Sequence, residues 1–113
     1  MLVQAAAFGL ASLVHRGVLL PGHAHSKAAI AETVIAGVLV LGLLVRGLQM
    51  APARAAALLA QAFALLGTCV GLLTIAIGVG PQSGADLVFH IAVIALLVCG
   101  LVAAWRTPRT GAS

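Results

Sequence analysis

Apolar residues run along the chain in four long blocks, each closed by a short cluster of turn formers. The blocks cover 2–20, 28–48, 54–79 and 85–105. Each reaches the roughly 20 residues that a helix needs to cross the hydrocarbon core of a bilayer. The apolar character is continuous rather than alternating, which argues against barrel strands. The stretches "LPGHAHS", "QMAPAR" and "GVGPQSG" separate the blocks, and Gly-Pro and Pro clusters of this kind mark turns. Links this short place consecutive helices antiparallel. The pattern predicts an all-α fold: one domain over 1–113, an up-down bundle of four transmembrane helices.

Composition supports the membrane reading. Of 113 residues, 63% are apolar and 7% are charged, and mean hydropathy is +1.23. A soluble domain of this size keeps a large share of its surface in water and carries about 25% charged residues, so lipid is the expected partner of the outer surface. The first block has no Lys or Arg before Arg16 and no A-x-A-like cleavage site, so it reads as a retained span rather than a signal peptide. The net charge of +4 comes from six scattered basic residues, which form no patch for nucleic acid. Arg46, Arg54, Arg106 and Arg109 fall on the side of the second link and both termini, against Arg16 and Lys27 on the other. The positive-inside rule then predicts a multi-pass protein of a bacterial inner membrane with both termini cytoplasmic. Trp105 beside Arg106 fits an interfacial anchor. Cys69 and Cys99 sit mid-block without a CxxC spacing and read as small packing residues.

Along the third block, Ala57, Gln61, Ala64, Thr68, Gly71, Ile75 and Gly78 recur at steps of four and three, which lays small residues along one helical face. Gly67 and Gly71 add a GxxxG. In lipid such faces let backbones approach closely. This stripe predicts tight packing inside the bundle or in a homodimer, with Gln61 bonded across to another helix.

Depth sorts the ionisable residues. His15 with Arg16 lies near the end of the first block, Glu32 near the start of the second, and Asp86 and His90 at the start of the fourth; His23 and His25 lie in the first link. In the antiparallel arrangement all of them fall in the outer third of the membrane. An ionisable group within a span costs on the order of 2.5–3.5 kcal/mol at the helix centre, so such groups face inward and pair. Asp86 and His90 are one turn apart, a spacing at which a carboxylate sets a histidine's tautomer. Asp86 or Ser83 also suits a helix cap, and Glu32 has Arg16 and Lys27 as candidate ion-pair partners.

The first functional reading is a polar site of His15, Arg16, Glu32, Asp86 and His90 on the periplasmic side, binding a small polar ligand. His15, Glu32, Asp86 and His90 are also the donor types that zinc, copper or iron accept as divalent ions. A second reading places a b-type haem between His15 and His90 as axial ligands. A third is a non-catalytic assembly subunit of a larger membrane complex. No nucleophile–base pair, phosphate loop or paired-carboxylate motif appears, which points away from an enzyme.

Residues 60–101, "AQAFALLGTCVGLLTIAIGVGPQSGADLVFHIAVIALLVCGL", resemble a family of small bacterial four-span membrane proteins. The family shares a glutamate early in span two, a Gly-x-Gly-Pro turn and an Asp-x-x-x-His entering span four, at the positions of Glu32, Gly78, Gly80, Pro81, Asp86 and His90. The resemblance implies the four-helix membrane fold and no particular activity. Length and span count are also similar to the small multidrug resistance transporters. The membrane carboxylate of that family lies in span one, whereas Glu32 lies in span two, and its drug-site aromatics are missing here. That likeness implies a proton-coupled carrier as a further alternative, with Glu32 as its carboxylate.

Overall fold

The structure, a computed structural model, describes residues 1–19, 22 and 24–108. Within them the chain is all-helical: α1 (Leu2–His15), α2 (Ser26–Gly47), α3 (Ala53–Ala76) and α4 (Gly84–Arg106). The four helices run up and down in a bundle about 50 Å long. Helices α2, α3 and α4 have 22, 24 and 23 residues and are long and apolar enough to cross a membrane. At 1.5 Å per residue they extend about 33–36 Å. Leu41, Leu59, Leu66, Leu73, Val88 and Ile91 are exposed on their outward faces, a surface matched to lipid and not to water. Cys69 and Cys99 are free thiols on exposed positions; they face outward instead of packing between helices as the sequence implied.

The first helix differs from expectation. A continuous helix over 2–20 is predicted, but α1 has 14 residues and stops at His15, extending about 21 Å. The cause is Gly17, whose φ of +78° is left-handed. Its N–H bonds to the Val14 carbonyl at 3.0 Å and the Val18 N–H to the Leu13 carbonyl at 3.2 Å. This 5→2 and 6→1 pair is the Schellman ending, which glycine favours. Hydropathy does not register it, because Val18 and Leu19 keep the block apolar beyond the stop. The same ending closes α3 through Gly78 (Val79 N–H to Thr74 O, 2.9 Å) and α2 through Gln49 (Met50 N–H to Val45 O, 3.0 Å).

The core follows one stripe per helix. Ala5 and Phe8 of α1, Ile35 and Leu39 of α2, Ala60 and Ala64 of α3, and Val93 and Leu97 of α4 form a single buried cluster. On α3 the small-residue stripe is buried at Ala57, Gln61, Ala64 and Thr68. Thr68 returns its hydroxyl to the Ala64 carbonyl at 2.7 Å, which removes its polar group from the interface. A Cβ on Gly67 would meet Ile35 of α2, and one on Gly71 would meet the ring of His90 of α4. The GxxxG pair therefore serves two contacts within one bundle. Of the helix pairs that pack together, α1 and α4 meet most sparsely, and side chains close that seam. Phe8 meets Phe89 edge to face at 5.9 Å. The Gln4 amide donates to Gln61 Oε1 at 2.9 Å and to the Leu96 carbonyl at 3.0 Å.

Gln49 holds φ at +55° without being glycine, a conformation that costs a side-chain-bearing residue roughly 1–2 kcal/mol. Gln49→Gly is expected to stabilise the protein by about 1 kcal/mol, whereas Gly17→Ala is expected to destabilise it by a similar amount. Thermal unfolding of the two variants in the same detergent checks both signs.

Candidate functional site

Four ionisable residues at one end of the bundle lie in phase with the apolar stripes of their own helices. His15 extends the α1 face of Phe8, Ala11 and Ser12; Glu32 sits between Ala29 and Ile35 on α2; Asp86 and His90 precede Val93 and Leu97 on α4. The rule that turns leucines inward turns these side chains inward too, and all four residues are at least nine-tenths buried. Asp86 occupies the third position of α4 in a capping box: Ser83 Oγ accepts the Asp86 N–H at 3.1 Å, and Asp86 Oδ2 accepts the Ser83 N–H at 3.3 Å and its hydroxyl. The cap leaves Oδ1 free to face the bundle. At the top of α1 the His25 N–H returns to the His15 carbonyl at 2.7 Å, and His25 Nδ1 caps α2 by accepting the Ala28 N–H at 3.2 Å.

These placements put one imidazole between two carboxylates. His15 Nδ1 is 2.7 Å from Glu32 Oε2, and Nε2 is 2.7 Å from Asp86 Oδ1. A carboxylate oxygen and a ring nitrogen bond at this distance only with a proton between them, so the two bonds contain two protons. Two carboxyl groups and one imidazole that share two protons carry a net charge of −1, whichever atom of each bond holds its proton. One further proton, on Glu32 Oε1, makes the group neutral. Beside it, Ser12 Oγ and Thr33 Oγ1 lie 2.6 Å apart, and Arg16 donates to both, at 3.3 and 3.0 Å. Arg16 thus holds hydroxyls, and among the described residues the ion-pair partner of Glu32 is His15, not Arg16 or Lys27.

His90 behaves differently from the expectation drawn from its spacing to Asp86. Its Nδ1 bonds to the Asp86 backbone carbonyl at 2.7 Å, while the Asp86 carboxylate turns to Ser83 and His15. A carbonyl only accepts, so Nδ1 carries a proton, and in the neutral ring this leaves the lone pair on Nε2. Nε2 has no hydrogen-bond partner among the described residues and lies against α3, where a Cβ on Gly71 would stand 2.8 Å from it. Between α2 and α3 opens a crevice of about 170 Å³. Glu32 and His90 line its inner wall, Phe8, Ile35 and Phe89 its apolar body, and exposed Lys27 its rim. Glu32 bonds to His15 through Oε2, and Oε1 has no partner among the described residues.

The residues singled out by depth therefore divide. His15, Glu32 and Asp86 form one hydrogen-bonded unit. His90 joins through the Asp86 backbone and shares the crevice with Glu32. Arg16 stands apart from the crevice, and His23 lies outside the described residues. Among the described residues no group of three or more His, Cys, Asp or Glu is arranged to hold a metal ion. The expected metal set of His15, His90, Glu32 and Asp86 is not assembled around a common point here: both His15 nitrogens face carboxyl groups. Neither His15 nitrogen is turned toward His90, the other axial ligand expected for haem. From the sequence Thr33 is only a neighbour of Glu32, and Ser12 went unnoticed although it lies three residues before His15 on the same α1 face. No protein-family profile, no curated protein and no solved structure matches the chain.

Removing the imidazole would leave two buried carboxyl groups facing each other. His15→Ala is expected to cost about 3–5 kcal/mol, the range for deleting one partner of a buried ion pair. His15→Leu combined with Glu32→Leu is expected to recover part of that loss. Unfolding of the single and double variants in one detergent checks the order.

Proposed function

We propose that the chain is a membrane protein that binds a small organic cation with an apolar body in the crevice between α2 and α3. The single observation that supports this most is the His15–Glu32–Asp86 unit: with its two shared protons and no third it carries one net negative charge, and its Glu32 lines a mostly apolar crevice with His90 and, at the rim, Lys27. A buried uncompensated charge is costly, and a cation beside Glu32 Oε1 offsets that cost. The lone pair of His90 Nε2 offers a second acceptor. With His15 committed to carboxyl groups, the two remaining donors favour an ammonium that gives hydrogen bonds over a metal ion that needs more ligands. The arginine distribution supports a topology with this crevice on the periplasmic side of a bacterial inner membrane and both termini in the cytoplasm.

A second reading rests on the same oxygen. Protonation of Glu32 Oε1 neutralises the unit, so proton and cation compete for one site, which is the exchange that a proton-coupled carrier requires.

The test measures thermal stabilisation of the purified protein by a hydrophobic amine, a matched alcohol and a matched carboxylate. The amine alone is expected to stabilise, with affinity falling as pH is lowered, because the added proton removes the charge that attracts it. Glu32→Gln is expected to weaken binding about tenfold or more, the worth of one charged hydrogen bond. Equal stabilisation by the alcohol, or an unchanged affinity in Glu32→Gln, rejects the reading.

A further inference from the structure

The opposite end of the bundle holds a second concavity, of about 260 Å³, whose chemistry is the reverse of the first. Arg46 from the end of α2, Arg54 from the start of α3, Gln61, Gly100 and Thr107 line it. The chain has two carboxylate side chains, Glu32 and Asp86, and both are committed at the other end. No acidic side chain is therefore available to Arg46 and Arg54.

Three further features favour an anion here. Arg54 is held in place: its guanidinium stacks on Trp105 at 4.7 Å and donates to the Trp105 carbonyl at 3.1 Å, while its buried Nε finds no partner among the described residues. Gln61 is 3% exposed. Its amide nitrogen gives one hydrogen to the Ala57 carbonyl, so its second N–H has no partner among the described residues. Finally, the helix starts differ at the two ends. Helices α2 and α4 begin at the carboxylate end with side-chain caps from His25 and Ser83. Helices α1 and α3 begin at the arginine end, and neither has one. The backbone N–H groups at the start of α3, where Ala53 borders the concavity, keep their hydrogens for an outside acceptor. The positive end of the helix dipole adds to the same field.

We propose that this concavity is a binding site for a phosphate-bearing anion, held by the guanidinium groups of Arg46 and Arg54, the amide of Gln61 and the first N–H groups of α3. Guanidinium groups and free helix-start amides are the donors that phosphate oxygens take in pairs. The exposed Trp105 marks the depth of the lipid–water boundary. The phosphate therefore arrives either as the headgroup of an anionic lipid or as a free phosphate from solution. This site is independent of the cation crevice.

The experiment uses the full chain in phosphatidylcholine nanodiscs. Thermal stability is followed while phosphatidylglycerol is added to the bilayer or inorganic phosphate to the buffer. Stabilisation by phosphatidylglycerol alone identifies a lipid headgroup; stabilisation by inorganic phosphate identifies the free ion. In either case Arg46→Gln combined with Arg54→Gln is expected to weaken binding a hundredfold, about tenfold for each charged hydrogen bond lost. Arg106→Gln, which changes an arginine outside the concavity, is expected to leave binding intact. Arg46 is exposed and makes no hydrogen bond among the described residues, so Arg46→Gln alone carries the test if the double variant fails to fold. The proposal is overturned if neither probe stabilises the protein, or if Arg106→Gln weakens binding as much as the concavity variants do.

Discussion

A single imidazole joins three helices. His15 ends α1 and gives one ring nitrogen to Glu32 on α2 and the other to Asp86 on α4, both at 2.7 Å. Buried ionisable groups are tolerated only when paired, so any shift of α1 along or around its axis breaks two costly contacts at once. This matters most at the α1–α4 seam, the sparsest of the helix–helix contacts. It also gives the shortest helix a firm upper end: the glycine stop at Gly17 places His15 at the last helical position, level with the first turn of α4. In lipid, where no hydrophobic force pulls helices together, such polar contacts and the close packing at Gly67 and Gly71 are what remain to set the register.

The bundle is polarised by the same economy of charge. With both acidic side chains of the chain drawn to His15, the arginines at the other end have no acidic side chain to pair with. Side-chain caps follow the same division, present where α2 and α4 begin and absent where α1 and α3 begin. One end therefore holds both acidic side chains and the other holds Arg46, Arg54 and Arg106. Between them lies an apolar layer in which Leu39, Ala64 and Leu97 are fully buried, with no charged group to connect the two.

Much of this was legible in the chain. Blocks at 28–48, 54–79 and 85–105 locate α2, α3 and α4 to within a few residues, because about 20 continuous apolar residues leave a helix few alternatives in lipid. The common depth of His15, Glu32 and Asp86 follows from counting along antiparallel helices. Two things were not legible. The end of α1 depends on the backbone angle at Gly17, to which hydropathy is blind. The partner of the Asp86 carboxylate depends on which way each stripe faces in the assembled bundle. Spacing along one helix favours His90, but the capping box turns Asp86 Oδ1 toward α1, and His90 settles on the backbone carbonyl of Asp86. Depth arguments give the height of a residue in the membrane and not its direction around the helix.

The most direct test of the central claim is solid-state NMR of the protein in lipid bilayers, with labelled histidine nitrogens and labelled Asp and Glu carboxyl carbons. Both ring nitrogens of His15 are expected to show a close carboxyl carbon, one assigned to Glu32 and the other to Asp86, as two 2.7 Å hydrogen bonds require. A His15 ring nitrogen with no carboxyl neighbour, or an Asp86 carboxyl carbon found beside the His90 ring instead, would contradict it.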